Sequence, residues 1–137
     1  MAIKLHGLVS LAHPMAAPLP IARLETSARF SEAVVHGGTV YLAGQVPADE
    51  ALAGGAAAQM QSILAQVDAW LARAGSRKDR LLSATVYLTS FESYAEMNEA
   101  WVAWLPEGCA PARATVGNVT LANPKWLIEV SIIAAVA

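Results

Sequence analysis

The chain has 137 residues, of which 55% are hydrophobic and 15% are charged, and its formal net charge at pH 7 is -2. This length predicts one domain, and no stretch reaches the roughly 18 uninterrupted apolar residues that a membrane-spanning helix requires. The nine Lys and Arg residues are scattered rather than gathered into a basic stripe, which argues against nucleic acid as a partner.

The apolar surplus exceeds that of an average soluble domain, so we expect it to be buried against other subunits of an oligomer. The single cysteine, Cys109, excludes an internal disulfide framework and a zinc cluster, and it is compatible with a reducing, cytoplasmic location. Residues 1–20 contain a short apolar patch that Gly7, His13 and Pro14 interrupt. We interpret them as a loosely structured N-terminal extension rather than a secretory signal.

Residues 21–137 are predicted to form the domain, beginning with three strands. The first starts near Ile21, and the second and third flank Gly37 and Gly38. A two-residue hairpin turn needs positive φ at both central positions, which glycine adopts without steric cost. The sequence therefore predicts a hairpin here.

Two helices follow, with a strand between them at residues 81–88. The first is predicted over residues 56–74 from an apolar stripe at helical spacing, and Gly75 ends it. The second is predicted to begin with a capping box formed by Ser93 and Glu96. The apolar residues of the second helix share one face: Met97, Ala100, Trp101, Trp104 and Leu105.

The C-terminal third is predicted to form two paired strands joined by a turn at residues 122–125, with Arg113 on one strand and Glu129 on the other. Such a hairpin would bring both charges to one rim; the alternative is two surface charges on unrelated faces. The long apolar run at residues 127–136 is typical of a central strand covered on both faces. The whole order predicts an α+β layer, one sheet of about six strands backed by two helices, whose other face is closed by symmetric association.

Few side chains are suited to catalysis. No Ser-His-Asp set, phosphate-binding glycine loop or metal-ligand cluster is present in the sequence, which leaves Arg113, Glu129, Asn98 and the backbone around Gly44 and Gln45. A guanidinium group matches a carboxylate in bidentate fashion, and a glutamate can orient or deprotonate water. These residues favour a small carboxylic acid as ligand.

The chain also resembles the Rid (YjgF/RidA) family, and its YoaB-like branch in particular. Five ordered motifs carry the resemblance: F-S-E-A-V-V-H-G-G-T-V-Y-L-A-G-Q-V-P at residues 30–47, A-T-V-Y-L-T at 84–89, Y-A-E-M-N-E-A-W at 94–101, P-A-R-A-T-V at 111–116, and I-E-V at 128–130. The resemblance implies a homotrimer with a chorismate-mutase-like fold, a central barrel and clefts between subunits. It also implies hydrolysis of reactive 2-imino or 2-enamino acids to 2-oxo acids and ammonia, without a cofactor or a metal.

Carried over by position, the resemblance implies that Arg113 holds the substrate carboxylate and that Glu129 positions or activates water. Asn98, Gly44, Cys109 and Ala110 are expected to line the cleft. Three further cleft positions depart from the best-known branch, which has tyrosine, serine and cysteine where this chain has Phe30, Ala43 and Thr115. The cleft is thus expected to be more apolar.

Two other functions remain open. The cleft could bind or sense a small carboxylic (2-oxo) acid without turnover, in which case Arg113 would matter and Glu129 would not. The endoribonuclease (L-PSP-like) activity of some relatives fits poorly with a net charge of -2 and no basic face.

Overall fold

The computed structural model describes residues 17–137, so most of the predicted N-terminal extension, residues 1–16, lies outside the described residues. The elements follow the predicted order of three strands, helix, strand, helix and two strands. Their bounds are β1 Ala22–Thr26, β2 Ser31–His36, β3 Thr39–Leu42, α1 Gly55–Arg73, β4 Leu81–Leu88, α2 Tyr94–Trp104, β5 Ala112–Val116 and β6 Ile128–Ala135.

The six strands form one mixed sheet in the order β1-β2-β3-β6-β4-β5. All neighbours are antiparallel except β4 and β5, which α2 connects in parallel. The predicted glycine hairpin is confirmed: His36 pairs with Thr39, and Gly37 and Gly38 have φ of 57° and 84°. The α+β class, the single sheet and the two helices are also as predicted.

The predicted hairpin between the last two strands is wrong. β5 pairs only with β4, and β6 lies on the other side of β4, so the two strands are not neighbours. The turn at Asn123 does form, because Lys125 N–H donates to its Oδ1 at 2.9 Å and Trp126 N–H donates to its carbonyl at 3.0 Å. It leads the chain past β4 rather than back along β5.

The predicted capping box at Ser93 is also wrong. The Ser93 side chain makes no capping hydrogen bond to α2. A short 3-10 turn, Phe91–Ser93, precedes the helix, and Ser90 caps that turn by accepting from Glu92 N–H at 3.1 Å. Ser93 is nevertheless the N-cap residue of α2, so the start of the helix is as predicted, while the side-chain cap belongs to Ser90 of the preceding turn.

Both helices pack against one face of the sheet. The apolar stripe of α1 is buried as predicted, and Met97, Ala100 and Trp101 of α2 join the same core. On β6, Ile128, Val130, Ile132 and Ala134 are buried beneath the helices, whereas the alternate residues are half-buried on the opposite face. One chain thus covers one face of this central strand, not both.

The opposite face of the sheet, called the open face below, carries exposed apolar side chains. Tyr41 on β3 is 44% exposed and Val116 on β5 is 40% exposed. Within residues 17–137, no helix is long and apolar enough to cross a membrane.

Candidate functional site

Glu129 lies on the open face of the sheet. Its neighbours on β6, Ile128 and Val130, are fully buried beneath the helices, and side chains alternate between the two faces of a strand. Gly44, just after β3, lies directly beneath the Glu129 carboxylate, since a Cβ atom built on Gly44 would overlap Oε2. Glycine is the one residue that lets the carboxylate occupy this place.

A cavity of about 550 Å³, called the Glu129 cavity below, opens beside this carboxylate. Four residues that the sequence predicted for the site meet in it: Phe30, Ala43, Gly44 and Glu129. The departures at Phe30 and Ala43 thus lie on its wall, and they replace two hydroxyl groups by a ring edge and a methyl group. The expected apolar character of this part of the cleft follows from those two side chains.

The cavity wall also includes Gln45, whose backbone the sequence indicated together with that of Gly44. Sequence reasoning missed the rest of the wall, which includes Glu32 on β2, Gln66 on α1, Trp126 just before β6, and Val46. Strand alternation could have indicated Glu32, because Ala33 is a buried core position and its neighbour must face the other way. No local pattern indicates Gln66, whose Nε2 donates to the Val46 carbonyl at 2.8 Å from a distant helix.

A second cavity, of about 430 Å³, lies on the other side of Glu129. Tyr87 on β4 and Thr120 in the following loop contribute polar side chains to it. Tyr87 is the direct partner of Glu129 in the β4–β6 ladder, so both side chains project from the same face. The Glu129 carboxylate is therefore reached from two sides.

Arg113 lies in a different place. It occupies edge strand β5 on the face that the helices cover, where its Nη1 is 3.8 Å from the Met97 sulfur. Its guanidinium carbon is 5.7 Å from the centre of the Trp101 ring, and Trp101 is only 4% exposed. Both ion pairs found within residues 17–137 involve other arginines, so no described carboxylate neutralises this guanidinium group.

Within one chain, Arg113 and Glu129 do not meet. Arg113 pairs with Ala84 and Glu129 with Tyr87, on opposite edges of β4, and the two side chains project from opposite faces of the sheet. Two strand spacings alone amount to about 10 Å. Any site that uses both charges needs one of them from another copy of the chain.

The other predicted site residues belong to the Arg113 side of the molecule. Thr115 follows Arg113 by two positions and shares its face of β5, and Asn98 follows Met97 on α2. Cys109 and Ala110 lie in the connection from α2 to β5. Cys109 lines a separate cavity of about 430 Å³ beside the end of α1, not the Glu129 cavity.

The predicted site residues thus fall into two groups. Phe30, Ala43, Gly44 and Glu129 line one cavity. The second group lies on α2, on β5 and in the connection between them, and its member Cys109 lines a different cavity: Asn98, Cys109, Ala110, Arg113 and Thr115.

Comparisons of the sequence and of the fold with known proteins all indicate the same family. The family model described as Endoribonuclease L-PSP matches residues 20–136. A RutC family protein of Haemophilus ducreyi is 43% identical over 85% of this chain and 97% of its own length. The RutC family protein YoaB of Escherichia coli is 43% identical over 86% of this chain and 100% of its own length.

Solved structures agree with these sequence matches. The crystal structure of NMB1025, a YjgF-family protein of Neisseria meningitidis, is similar to this fold with a TM-score of 0.81 and 42% identity, covering 86% of this chain and 96% of that chain. The fold, the family model and the two relatives agree with the motifs in the sequence, and the chain therefore belongs to the YjgF/RidA (Rid) family.

Proposed function

We propose that this protein hydrolyses reactive 2-imino or 2-enamino acids to 2-oxo acids and ammonia, in clefts between the subunits of a homotrimer. The observation that carries the proposal is the division of the site into an unpaired guanidinium and an accessible carboxylate on opposite faces of the sheet. Such an arrangement becomes one site when a neighbouring copy brings its Arg113 to the Glu129 cavity.

The exposed apolar residues of the open face support association through that face. Tyr41 on β3 and Val116 on edge strand β5 both lie on it, with β6 and β4 between them, so the exposed apolar side chains are spread across several strands. Burying such an area against identical sheets is favourable. A closed ring of three would leave no open face, in line with the trimer that the family resemblance implies.

The chemistry requires two charged groups of opposite sign. Arg113 binds the substrate carboxylate with its fork of donors, which fixes C2 of the imine in the cleft. Glu129 accepts a proton from water as the water oxygen bonds to C2 and passes that proton to the imine nitrogen, giving a tetrahedral carbinolamine. The carbinolamine hydroxyl then loses its proton to Glu129, which passes it to the nitrogen as the C=O bond forms and the C–N bond breaks. Ammonia and the 2-oxo acid leave, and Glu129 is ionised again.

RNA cleavage, which the family description names, fits the geometry less well. The charged side chains on the wall of the Glu129 cavity are Glu32 and Glu129, both of which repel a phosphodiester. A small acid held by a single arginine avoids this conflict.

The test couples the purified protein to an amino-acid oxidase that generates the imine, with semicarbazide trapping as the readout. We expect the wild type to lower the amount of trapped imine, and Arg113→Ala to abolish this effect. Arg73→Ala is the matched control, because Arg73, the last residue of α1, forms an exposed ion pair with Glu25 on β1. Unchanged imine lifetime with the wild-type protein would refute the deaminase proposal.

Measuring the binding of a 2-oxo acid distinguishes the deaminase proposal from the non-catalytic alternative. A protein that only binds or senses the acid would lose pyruvate binding with Arg113→Ala and keep it with Glu129→Gln, while the imine lifetime stays the same throughout. The apolar replacements at Phe30 and Ala43 make this comparison informative, because they remove two hydroxyl groups that a hydrolytic site could use.

A further inference from the structure

The Glu32 carboxylate lies in the wall of the Glu129 cavity, near a buried amide. Glu32 lies on β2 beside Ala43, whose N–H donates to the Glu32 carbonyl at 2.9 Å. Gln45 is only 3% exposed, and its Nε2 donates to the Ala43 carbonyl at 3.0 Å and reaches Glu32 Oε2 at 3.5 Å. The sheet therefore fixes the Glu32 backbone, and the Gln45 amide makes one long contact with its carboxylate.

The Glu32 carboxylate keeps most of its hydrogen-bonding capacity. A carboxylate accepts about four hydrogen bonds, and in residues 17–137 Gln45 is the one donor within reach, at the long limit of hydrogen-bond distance. Neither of the two ion pairs found in that range involves Glu32. Because the half-buried Glu32 carboxylate has one long hydrogen bond and no ion pair among these residues, any cation that enters the cavity stabilises its charge.

The cavity wall also suits a cation in other respects. Phe30 and Trp126 contribute aromatic rings, whose faces attract a guanidinium or ammonium group. Arg29 and Lys125 precede these two residues in the chain, but both are exposed and neither lines the cavity. The charge on the described wall is therefore negative.

We propose that Glu32 selects imino acids whose side chain ends in a cation, so that the guanidinium or ammonium group lies between Glu32 and the aromatic wall while C2 lies at Glu129. The proposal rests on the proposed function, because it places the reacting carbon beside Glu129. β3 lies between the strands that carry the two glutamates, which separates them by about 10 Å of sheet. Three methylene groups and a guanidinium nitrogen span about 6 Å from C2, and the Glu32 side chain covers the rest.

The test compares two imines of almost equal shape, one from arginine and one from citrulline, whose ureido group replaces the guanidinium group without charge. A guanidinium group also does not cyclise onto C2 as the amine of an ornithine imine would. We expect the wild-type kcat/KM to be at least 10-fold higher for the arginine imine. Glu32→Gln keeps the size of the side chain and an oxygen for Gln45, and we expect it to remove this preference, so that the kcat/KM values for the two imines come within about twofold of each other.

Glu50→Gln is the matched control, because it removes the same charge from the exposed turn Asp49–Gly54. Equal turnover of both imines by the wild type, or an equal loss of both in Glu32→Gln, would overturn the role of Glu32. Raised salt should reduce the wild-type preference and leave the variant unchanged, a response that a purely structural role of Glu32 would not produce.

Binding measurements keep this proposal separate from the proposed function. If the wild type hydrolyses neither imine, the deaminase proposal fails, and calorimetric titration with the 2-oxo acids of arginine and citrulline still tests Glu32. Tighter binding of the guanidinium-bearing acid, lost in Glu32→Gln, would support selection by charge; equal affinities would refute it.

Discussion

At the scale of single residues, the close approach of Gly44 and Glu129 defines the candidate site. The carboxylate occupies the space that a side chain at position 44 would fill. The sequence indicated Gly44 as a residue of the cleft, but it did not indicate which side chain lies against this glycine. The side chain can be identified as that of Glu129 only once β3 and β6 are known to be neighbouring strands, because Gly44 and Glu129 are far apart in the chain.

Gly44→Ala should therefore displace Glu129 and abolish imine hydrolysis. Only the end of the flexible Glu129 side chain has to move, and it lies beside two cavities, so we expect urea denaturation to show a change in unfolding free energy within about 0.5 kcal/mol. A larger loss of stability would show that the substitution disturbs more than the Glu129 carboxylate, and retained hydrolysis would show that the carboxylate does not need this position.

At the scale of elements, the fully buried Gln59 ties α1 to the segment that enters β6. Its Nε2 donates to the carbonyls of Leu52 at 3.2 Å and Lys125 at 3.1 Å, and its Oε1 accepts from Leu127 N–H at 2.8 Å. These bonds hold the chain on either side of Trp126. The wall of the Glu129 cavity thus depends on a polar residue within the apolar stripe of a helix.

Gln59→Leu should cost about 3 kcal/mol of unfolding free energy, because three backbone groups lose their partner at a buried position. Gln61→Leu is the control on the same helix; its side chain is exposed, so we expect a change within about 0.5 kcal/mol. Urea denaturation of both variants makes the comparison. Similar stability of the two variants would mean that water replaces the lost Gln59 bonds.

Elements whose signals are local were predictable, whereas pairings between distant segments were not. The hairpin at Gly37 and the stripe of α1 depend on residues close in sequence, and both are confirmed. The pairing of β5 with β6 was predicted from a genuine turn at Asn123, yet β4 separates the two strands. A turn fixes the local path of the chain but not which strand the next one joins.

The same limit applied to the site. Glu129, Gly44, Phe30 and Ala43 could be assigned to one cavity from the family motifs, and the geometry brings them together. Glu32, Gln66 and Trp126 could not, because their place in the wall depends on three elements meeting. From the sequence alone, the buried Gln59 cannot be distinguished from the exposed polar residues of the same helix.

At the scale of the whole molecule, the proposed catalysis in a trimer would require neighbouring copies, because Arg113 and Glu129 lie apart within one chain. If each cleft combines Glu129 of one copy with Arg113 of the next, Arg113→Ala and Glu129→Gln should each be inactive alone. Co-expression of the two variants should restore activity. In a mixed trimer of either composition, one of the three clefts receives an intact Arg113 and an intact Glu129.

Random assembly of equal amounts makes three quarters of the trimers mixed, so we expect about a quarter of the wild-type turnover per chain. The control co-expresses Arg113→Ala with the double variant Arg113→Ala, Glu129→Gln, because no cleft in those trimers can contain an intact Arg113. Imine turnover of the purified mixtures is the measurement. A mixture as inactive as this control would mean that both charges act within one chain, which would require a rearrangement across β4 that the sheet order forbids.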